Sequence, residues 1–189
     1  MAEIEAIYRA RTDSARTRFT DADVHFMTGM IAHHAQALVM SALAPRNGAG
    51  PAVRTLAARI ENAQRDEIET MQRWLRDRGQ RVPEVHIEGT ELTIEGPGHE
   101  MDMPGILSPE QMSELEAARG GEFDRLFLTY MIEHHQGAVV MVENLFGIDG
   151  AAQDQTAFRL ASDIQVDQRT EIARMERMLA ELTAGGGGD

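Results

Sequence analysis

The sequence predicts an all-α protein: a four-helix bundle built from two duplicated helical hairpins, with a short extended or β-hairpin insertion between them. Two internal repeats carry this prediction. Residues 23–40 and 124–141 share ten identities in eighteen aligned positions, and residues 56–75 and 160–179 share ten in twenty. Because a helical hairpin cannot bury its apolar face alone, two such units are expected to pack against each other.

The predicted domain organisation follows from these repeats. We expect a single domain over residues 1–189, since this length suits one well-buried core and 42% of the residues are hydrophobic. Within it, the repeats occupy residues 20–79 and 121–183. A crossover segment of different composition joins them at residues 80–120.

Capping and breaking residues set the predicted elements of the first repeat. Thr20 or Asp21 is the expected N-cap of the first helix, and the Pro- and Gly-rich stretch 44–51 ends it. Pro51 is expected to open the second helix, which continues to about Arg78.

The crossover and the second repeat follow the same logic. Apolar residues alternate on both sides of a Gly-Thr turn at residues 85–94, which predicts a small β-hairpin or an extended crossover. Ser108 then caps a short helix that starts at Pro109. The second repeat is expected to form a helix over residues 121–146 and a last helix ending near Thr183, followed by a disordered tail.

Composition excludes several classes of function. The net charge is −13, all eighteen Lys and Arg residues are arginine, and there is no cysteine. A surface this acidic should repel nucleic acid, and no apolar run is long enough for membrane insertion. Zinc-thiolate sites and thiol catalysis are excluded as well, which leaves methionine and histidine as the soft metal ligands.

The inward face of each predicted hairpin carries polar residues in matched sets. The first helix supplies an aspartate and two adjacent histidines, and the second supplies a glutamine and a glutamate. These residues are Asp23, His33, His34, Gln64 and Glu67 in the first repeat, and Asp124, His134, His135, Gln168 and Glu171 in the second. Polar groups buried in a core must find partners or cost a few kcal/mol each, so their presence needs an explanation.

Two explanations are open from the residues alone. In the first, the histidines donate hydrogen bonds to the Glu or Gln of the paired helix, and methionine fills gaps in a metal-free core. In the second, imidazole and thioether groups bind a soft metal ion, Cu(I) or Ag(I). The predicted methionine ligands beside the histidine pairs are Met30, Met40, Met131 and Met141.

The crossover segment holds a third group of candidate ligands, His99, Met101 and Met103. In an extended chain, residues two apart project from the same side, so these three side chains could serve one metal ion. The alternative is a solvated loop with no ligand.

An enzymatic function has weaker support. A di-iron carboxylate site in a bundle needs Glu-x-x-His on two helices, whereas here the inward pairs are Gln64-x-x-Glu67 and Gln168-x-x-Glu171. Signatures of nucleophilic catalysis and phosphate-binding glycine loops are missing from the sequence. We therefore expect a binding protein more readily than an enzyme.

Several stretches resemble the bacterial family called domain of unknown function 305 (DUF305). They are DADVHFMTGMIAHHAQALVM, MPGILSPEQ, GEFDRLFLTYMIEHHQGAVVM and QRTEIARMERML, and the similarity extends from about Phe19 to Leu182. The doubled Met-x-x-His-His pattern is specific to this resemblance. Where family members often carry an acidic residue after each histidine pair, this chain has Ala35 and Gln136.

The resemblance implies a ferritin-like helical bundle that binds copper or silver through Met and His in some members. It also implies export to the periplasm or the medium, although the N-terminus as given has no apolar export signal. The expected partners are a metal ion and a protein that delivers or accepts copper, and a homo-oligomer is compatible with the sequence.

Overall fold

The computed structural model describes residues 4–5, 18–97 and 103–185, which are mostly helical. The long helices are α1 (Asp21–Arg46), α2 (Pro51–Asp77), α4 (Gly120–Phe146) and α5 (Gln155–Gly185), and α3 (Pro109–Ala117) is short. A β-hairpin of β1 (Glu84–Glu88) and β2 (Glu91–Glu95) lies between α2 and α3. The predicted mostly helical class and the hairpin insertion are both confirmed, whereas the tail after residue 185 lies outside the described residues.

The helix starts obey the expected capping chemistry. Thr20 caps α1 in a reciprocal pair with Asp23, and Ser108 caps α3 in the same way with Gln111. Each pair satisfies backbone N–H groups that the first helical turn leaves without partners. Helix α4 begins at Gly120, one residue before the predicted start, and no side chain caps it.

The β-hairpin places its alternating apolar residues opposite one another. The strands are antiparallel, with Val85 opposite Ile94 and Ile87 opposite Leu92. These four apolar side chains are half-buried on one face, while the residues between them are exposed. Val85 and Ile87 pack against an apolar cluster that includes residues of α1 and α2, so the hairpin covers one side of the first helical pair.

The long helices form two pairs, α1 with α2 and α4 with α5. Helices α1 and α4 run antiparallel and join the two pairs. Near the start of α1, the buried carboxylate of Asp23 accepts a 2.7 Å hydrogen bond from the Ala152 N–H, in the loop before α5. Near the start of α4, Asp124 accepts hydrogen bonds from the Gly50 N–H, in the loop before α2. Asp23 therefore holds the loop between α4 and α5, and Asp124 holds the loop between α1 and α2. Neither aspartate is a hydrogen-bond partner of the histidines.

The crossover segment passes very close to α4. A Cβ atom added at Gly137 would lie 2.0 Å from the carbonyl oxygen of Pro104, and one added at Gly105 would lie 2.7 Å from the carbonyl oxygen of Glu133. Only residues without side chains permit this approach. On α1, the Gln36 amide accepts from the Leu107 N–H and donates to its carbonyl oxygen, at 2.8 and 3.1 Å. Both helices therefore fix residues 104–107.

Asp154 joins α2 to the start of α5. Its carboxylate accepts hydrogen bonds from the Trp74 indole N–H and the Arg78 guanidinium at 2.9 and 2.6 Å, and it also accepts from the Ala157 N–H. Although burial alone would raise the pKa of Asp154, these donors outweigh burial and lower it. The ion pair is almost fully buried, so loss of either partner would leave an uncompensated charge.

We expect Gly137→Ala to destabilise the protein by about 2 kcal/mol or more, because the new methyl group has no room beside Pro104. The matched control is Gly121→Ala in the same helix, where the structure describes no atom within 4 Å of the added Cβ. The control should be neutral or slightly stabilising, since Ala favours helix over Gly. Urea unfolding of both variants measures the difference, and equal stabilities would contradict the close approach.

Candidate metal centre

The two histidine pairs meet where α1 crosses α4. His33, His34, His134 and His135 are all fully buried, with no exposed surface. The rings of His33 and His134 contact each other across the helices with centroids 3.9 Å apart. Within each helix the adjacent rings are farther apart, at 6.4 Å for His33 and His34 and 6.2 Å for His134 and His135. The repeats thus converge on one layer of four imidazoles, an arrangement that the sequence left undetermined.

Every Nε2 atom in this layer faces a hydrogen-bond acceptor. His34 and His135 contact the carboxylates of Glu67 and Glu171, each at 2.7 Å. The Nε2 atom of His134 lies 3.1 Å from the carbonyl oxygen of His33. The remaining imidazole, His33, reaches the Pro104 carbonyl oxygen at 3.0 Å, so the crossover supplies an acceptor that sequence patterns did not predict.

These acceptors determine the protonation of the rings. Carbonyl and carboxylate oxygens cannot donate, so in each ring Nε2 carries the proton and a neutral imidazole keeps its lone pair on Nδ1. None of the four Nδ1 atoms has a hydrogen-bond partner among the described residues. Metal-binding histidines show this arrangement, with one nitrogen donating to an oxygen and the other free to bind the ion.

Burial keeps two of the rings neutral. Desolvation, followed by the proximity of His34, lowers the pKa of His33 to about 3, and the hydrogen bond to the Pro104 carbonyl offsets only part of this shift. Desolvation, followed by the proximity of His33, also holds the pKa of His134 well below its usual range. Neutral imidazole is the form that binds metal ions, so these rings need not lose a proton first at neutral pH.

The predicted methionine ligands lie on both sides of the imidazole layer. Met30 and Met141 belong to one apolar cluster, whereas Met40 and Met131 belong to the other. Each cluster thus combines the earlier methionine of one repeat with the later methionine of the other, because α1 and α4 cross in opposite directions. Met30, Met40 and Met131 are fully buried, and Met141 is 9% exposed.

Part of the crossover group lies near a separate surface cavity. His99 and Met101 lie outside the described residues, but the half-buried Met103 lines a cavity of about 140 Å³ together with Met141 and His25. Sequence reasoning missed His25, because it precedes the repeated Met-x-x-His-His pattern and has Leu126 as its counterpart in the second repeat.

A gap between α2 and α5 borders the outer side of the two His–Glu contacts. It measures about 210 Å³, and Gln64, Glu67, Gln168 and Glu171 line it. Both glutamines are 2% exposed. The two polar atoms of the Gln64 amide and the Oε1 atom of Gln168 have no partner among the described residues. The predicted inward glutamines therefore bring polar groups to the gap without binding the imidazoles.

The imidazole layer is not a preassembled site of three or more nitrogen and oxygen ligands. Within the described ranges, one group of three His, Asp or Glu ligand atoms lies within 4.8 Å of one another: the exposed Glu84, His86 and Glu95 of the β-hairpin. A metal ion at the buried layer would therefore use one or two imidazoles and complete its coordination with thioether. Cu(I) and Ag(I), which are soft and accept few ligands, fit such a donor set.

The sequence of the chain matches one known protein family. The profile of the domain of unknown function DUF305 matches residues 23–179, which include both helical pairs and the crossover. The chain belongs to the DUF305 family. This confirms the resemblance seen in the sequence.

Solved structures show what this DUF305 chain is similar to. A DUF305 fragment from Deinococcus radiodurans is 34% identical, with a TM-score of 0.70 over 86% of this chain and 98% of that one. A presumed secreted DUF305 protein from Streptomyces coelicolor is 27% identical, with a TM-score of 0.71 over 86% and 94%. No curated protein sequence matches the chain.

A third relative was solved with metal. Copper-bound CopM in its Cu(II) form is 27% identical to this DUF305 chain, with a TM-score of 0.63 over 84% of this chain and 96% of CopM. CopM also exists in Cu(I)-bound and Ag-bound forms.

As for membranes, none of the described helices of this DUF305 chain combines the length and apolar character needed to span a bilayer.

We expect the stability of the metal-free protein to fall as the pH drops below about 6.5. Unfolded histidine binds a proton near pH 6.5, whereas folded His33 does so only near pH 3. Between about pH 3 and 6.5 the unfolded state therefore binds more protons than the folded state. The free energy of unfolding that His33 contributes is fully present above this range and falls by about 1.4 kcal/mol for each pH unit within it. Urea unfolding at a series of pH values measures the slope.

The control for this pH dependence is His33→Gln, which removes the titrating ring and keeps an amide donor for the Pro104 carbonyl. Between about pH 6.5 and 5, before most carboxylates titrate, the variant should show a flatter slope than the parent protein. Identical slopes would mean that His33 is not held neutral by the fold.

Proposed function

We propose that this protein binds Cu(I) or Ag(I) through histidine and methionine, in copper storage, transfer or tolerance. One observation carries the proposal: four buried imidazoles are oriented through Nε2, and each keeps an Nδ1 atom without a partner among the described residues. A buried polar atom that makes no hydrogen bond costs free energy. Four such atoms in one layer are better explained by a ligand than by packing alone.

The chemistry of the surroundings supports a soft ion. Thioether sulfur from buried methionines flanks the layer on both sides, and thioether with imidazole favours Cu(I) over Zn(II) or Mg(II). The copper and silver forms of CopM support the same class of ion for a relative of this chain. The proposed ligands are His33, His34, His134, His135, Met30, Met40, Met131 and Met141, with His99, Met101 and Met103 as a further group.

The polar residues around the layer take distinct roles in this proposal. Glu67 and Glu171 orient His34 and His135 by accepting hydrogen bonds from their Nε2 atoms, which leaves each Nδ1 atom available to the ion. Asp23 and Asp124 act on the loops, so their contribution is to hold α1 against α4.

We infer that the protein is one domain with a ferritin-like arrangement of two duplicated hairpins and that it works outside the cytoplasm. Matched contacts support the duplication, since His34–Glu67 and His135–Glu171 have equal distances in the two halves. The presumed secretion of the Streptomyces relative supports export. A copper-delivery or copper-acceptor protein is the expected partner.

The competing function is a metal-free structural or partner-binding module. The His34–Glu67 and His135–Glu171 hydrogen bonds fit that function equally well, because they join the helices of each pair. Metal affinity and stability must therefore be measured on the same variants.

A di-iron enzyme is a weaker alternative, and an oxygen-consumption assay with Fe(II) tests it.

The deciding experiment is an anaerobic Cu(I) titration of metal-free protein against a chromophoric chelator. We expect competition at nanomolar affinity or tighter, on the order of 12 kcal/mol. The His33→Gln/His134→Gln double variant should bind about 100-fold more weakly. Glutamine keeps an N–H donor for the carbonyl acceptors but removes the imidazole lone pair, so binding can fall while the fold persists.

His86→Gln tests separately the exposed Glu84, His86 and Glu95 group on the β-hairpin. Its affinity should equal that of the parent protein if the buried layer holds the ion, and a loss of affinity in this variant alone would place the ion at the hairpin instead. Urea unfolding of all variants checks that the fold is kept. Absence of Cu(I) competition in the micromolar range, with a folded protein, would favour the metal-free module instead.

A further inference from the structure

The buried imidazoles need an access route, because none of the four has any exposed surface. Glu67 and Glu171 are the parts of the His–Glu pairs that reach solvent, with side chains 15% and 17% exposed. Both carboxylates line the gap of about 210 Å³ between α2 and α5. The two carboxylates therefore contact both the gap and the buried imidazoles of His34 and His135.

Negative charge is concentrated at this gap. Asp167 lines it together with Glu67 and Glu171, and Arg59 is the one basic residue among the described residues that line it. The three carboxylates are close enough to affect one another: burial, then the charges of Glu67 and Glu171, raise the pKa of Asp167. Like charges brought together in a partly buried cleft create a potential that attracts cations.

The amides of Gln64 and Gln168 are a second and independent sign of a ligand. Both side chains are 98% buried and line the gap, yet Gln64 makes no hydrogen bond to the described residues through either amide atom. Their oxygens would suit a cation or its water shell, because amide and carboxylate oxygens together are hard ligands that bind a passing ion weakly.

We propose that the gap between α2 and α5 is the entrance through which metal cations reach the buried imidazole layer, with Glu67, Asp167 and Glu171 attracting the ion and the two glutamines holding it in transit. This inference rests on the proposed metal-binding function and adds its route. The ion arrives at oxygen ligands and leaves them for softer imidazole and thioether ligands, which bind Cu(I) and Ag(I) more tightly.

The test is the rate at which Ag(I) or Cu(I) loads the folded, metal-free protein, followed by stopped-flow competition with a chelator. Asp167→Arg should slow loading about fivefold or more at low salt and leave the equilibrium affinity unchanged, since it reverses a steering charge without removing a ligand. High salt should reduce the difference between the variant and the parent protein. Ala63→Phe, which places a bulky ring at the exposed edge of the gap, should also slow loading.

Matched controls are Glu176→Arg on α5 and Ala58→Phe on α2, both exposed and neither among the residues that line the gap. Parent-like loading in the controls and slow loading in the gap variants would support the entrance. Parent-like loading in Asp167→Arg and Ala63→Phe, or equal slowing in all four, would overturn it while leaving metal binding intact. Absence of metal binding by the parent protein would overturn both proposals.

Discussion

The burial of four imidazoles at a single helix crossing is the constraint on which the rest of this structure depends. Each ring has one nitrogen that donates to an oxygen, and those oxygens come from α1, α2, α5 and the crossover. Four separate parts of the chain must therefore be in place before the layer is satisfied. Because buried polar rings are costly without their partners, the layer favours only the fold that supplies all four acceptors.

The two halves resemble each other in sequence but differ where the crossover passes. Gly137 and Gln36 occupy equivalent positions of the repeat, one lacking a side chain so that Pro104 can approach, the other binding Leu107 through its amide. As a result, His33 donates to a crossover carbonyl, whereas its counterpart His134 donates to the backbone of α1. A nearly symmetric pair of helices is thus made asymmetric by one connecting segment.

The imidazole layer has apolar surroundings on one side and charged and polar surroundings on the other. Apolar clusters with methionine lie along α1 and α4, where desolvation keeps His33 and His134 neutral. Toward α2 and α5, carboxylates and amides face a solvent-accessible gap. The candidate soft ligands are therefore buried while the carboxylates of Glu67 and Glu171 reach solvent, an order that would suit capture of an ion followed by tighter retention.

The sequence by itself determined the helical class, the β-hairpin and the inward position of the two histidine pairs, because these follow from local periodicity, capping and repetition. One of its two open explanations was a hydrogen bond from a histidine of each pair to the Glu or Gln of the paired helix, and the structure has such contacts between His34 and Glu67 and between His135 and Glu171. Tertiary structure alone decided that His33 meets His134, that Pro104 supplies an acceptor, and that His25 joins Met103 and Met141 at one cavity. Those contacts join residues far apart in the chain, and their geometry depends on how α1 crosses α4, which no local pattern specifies.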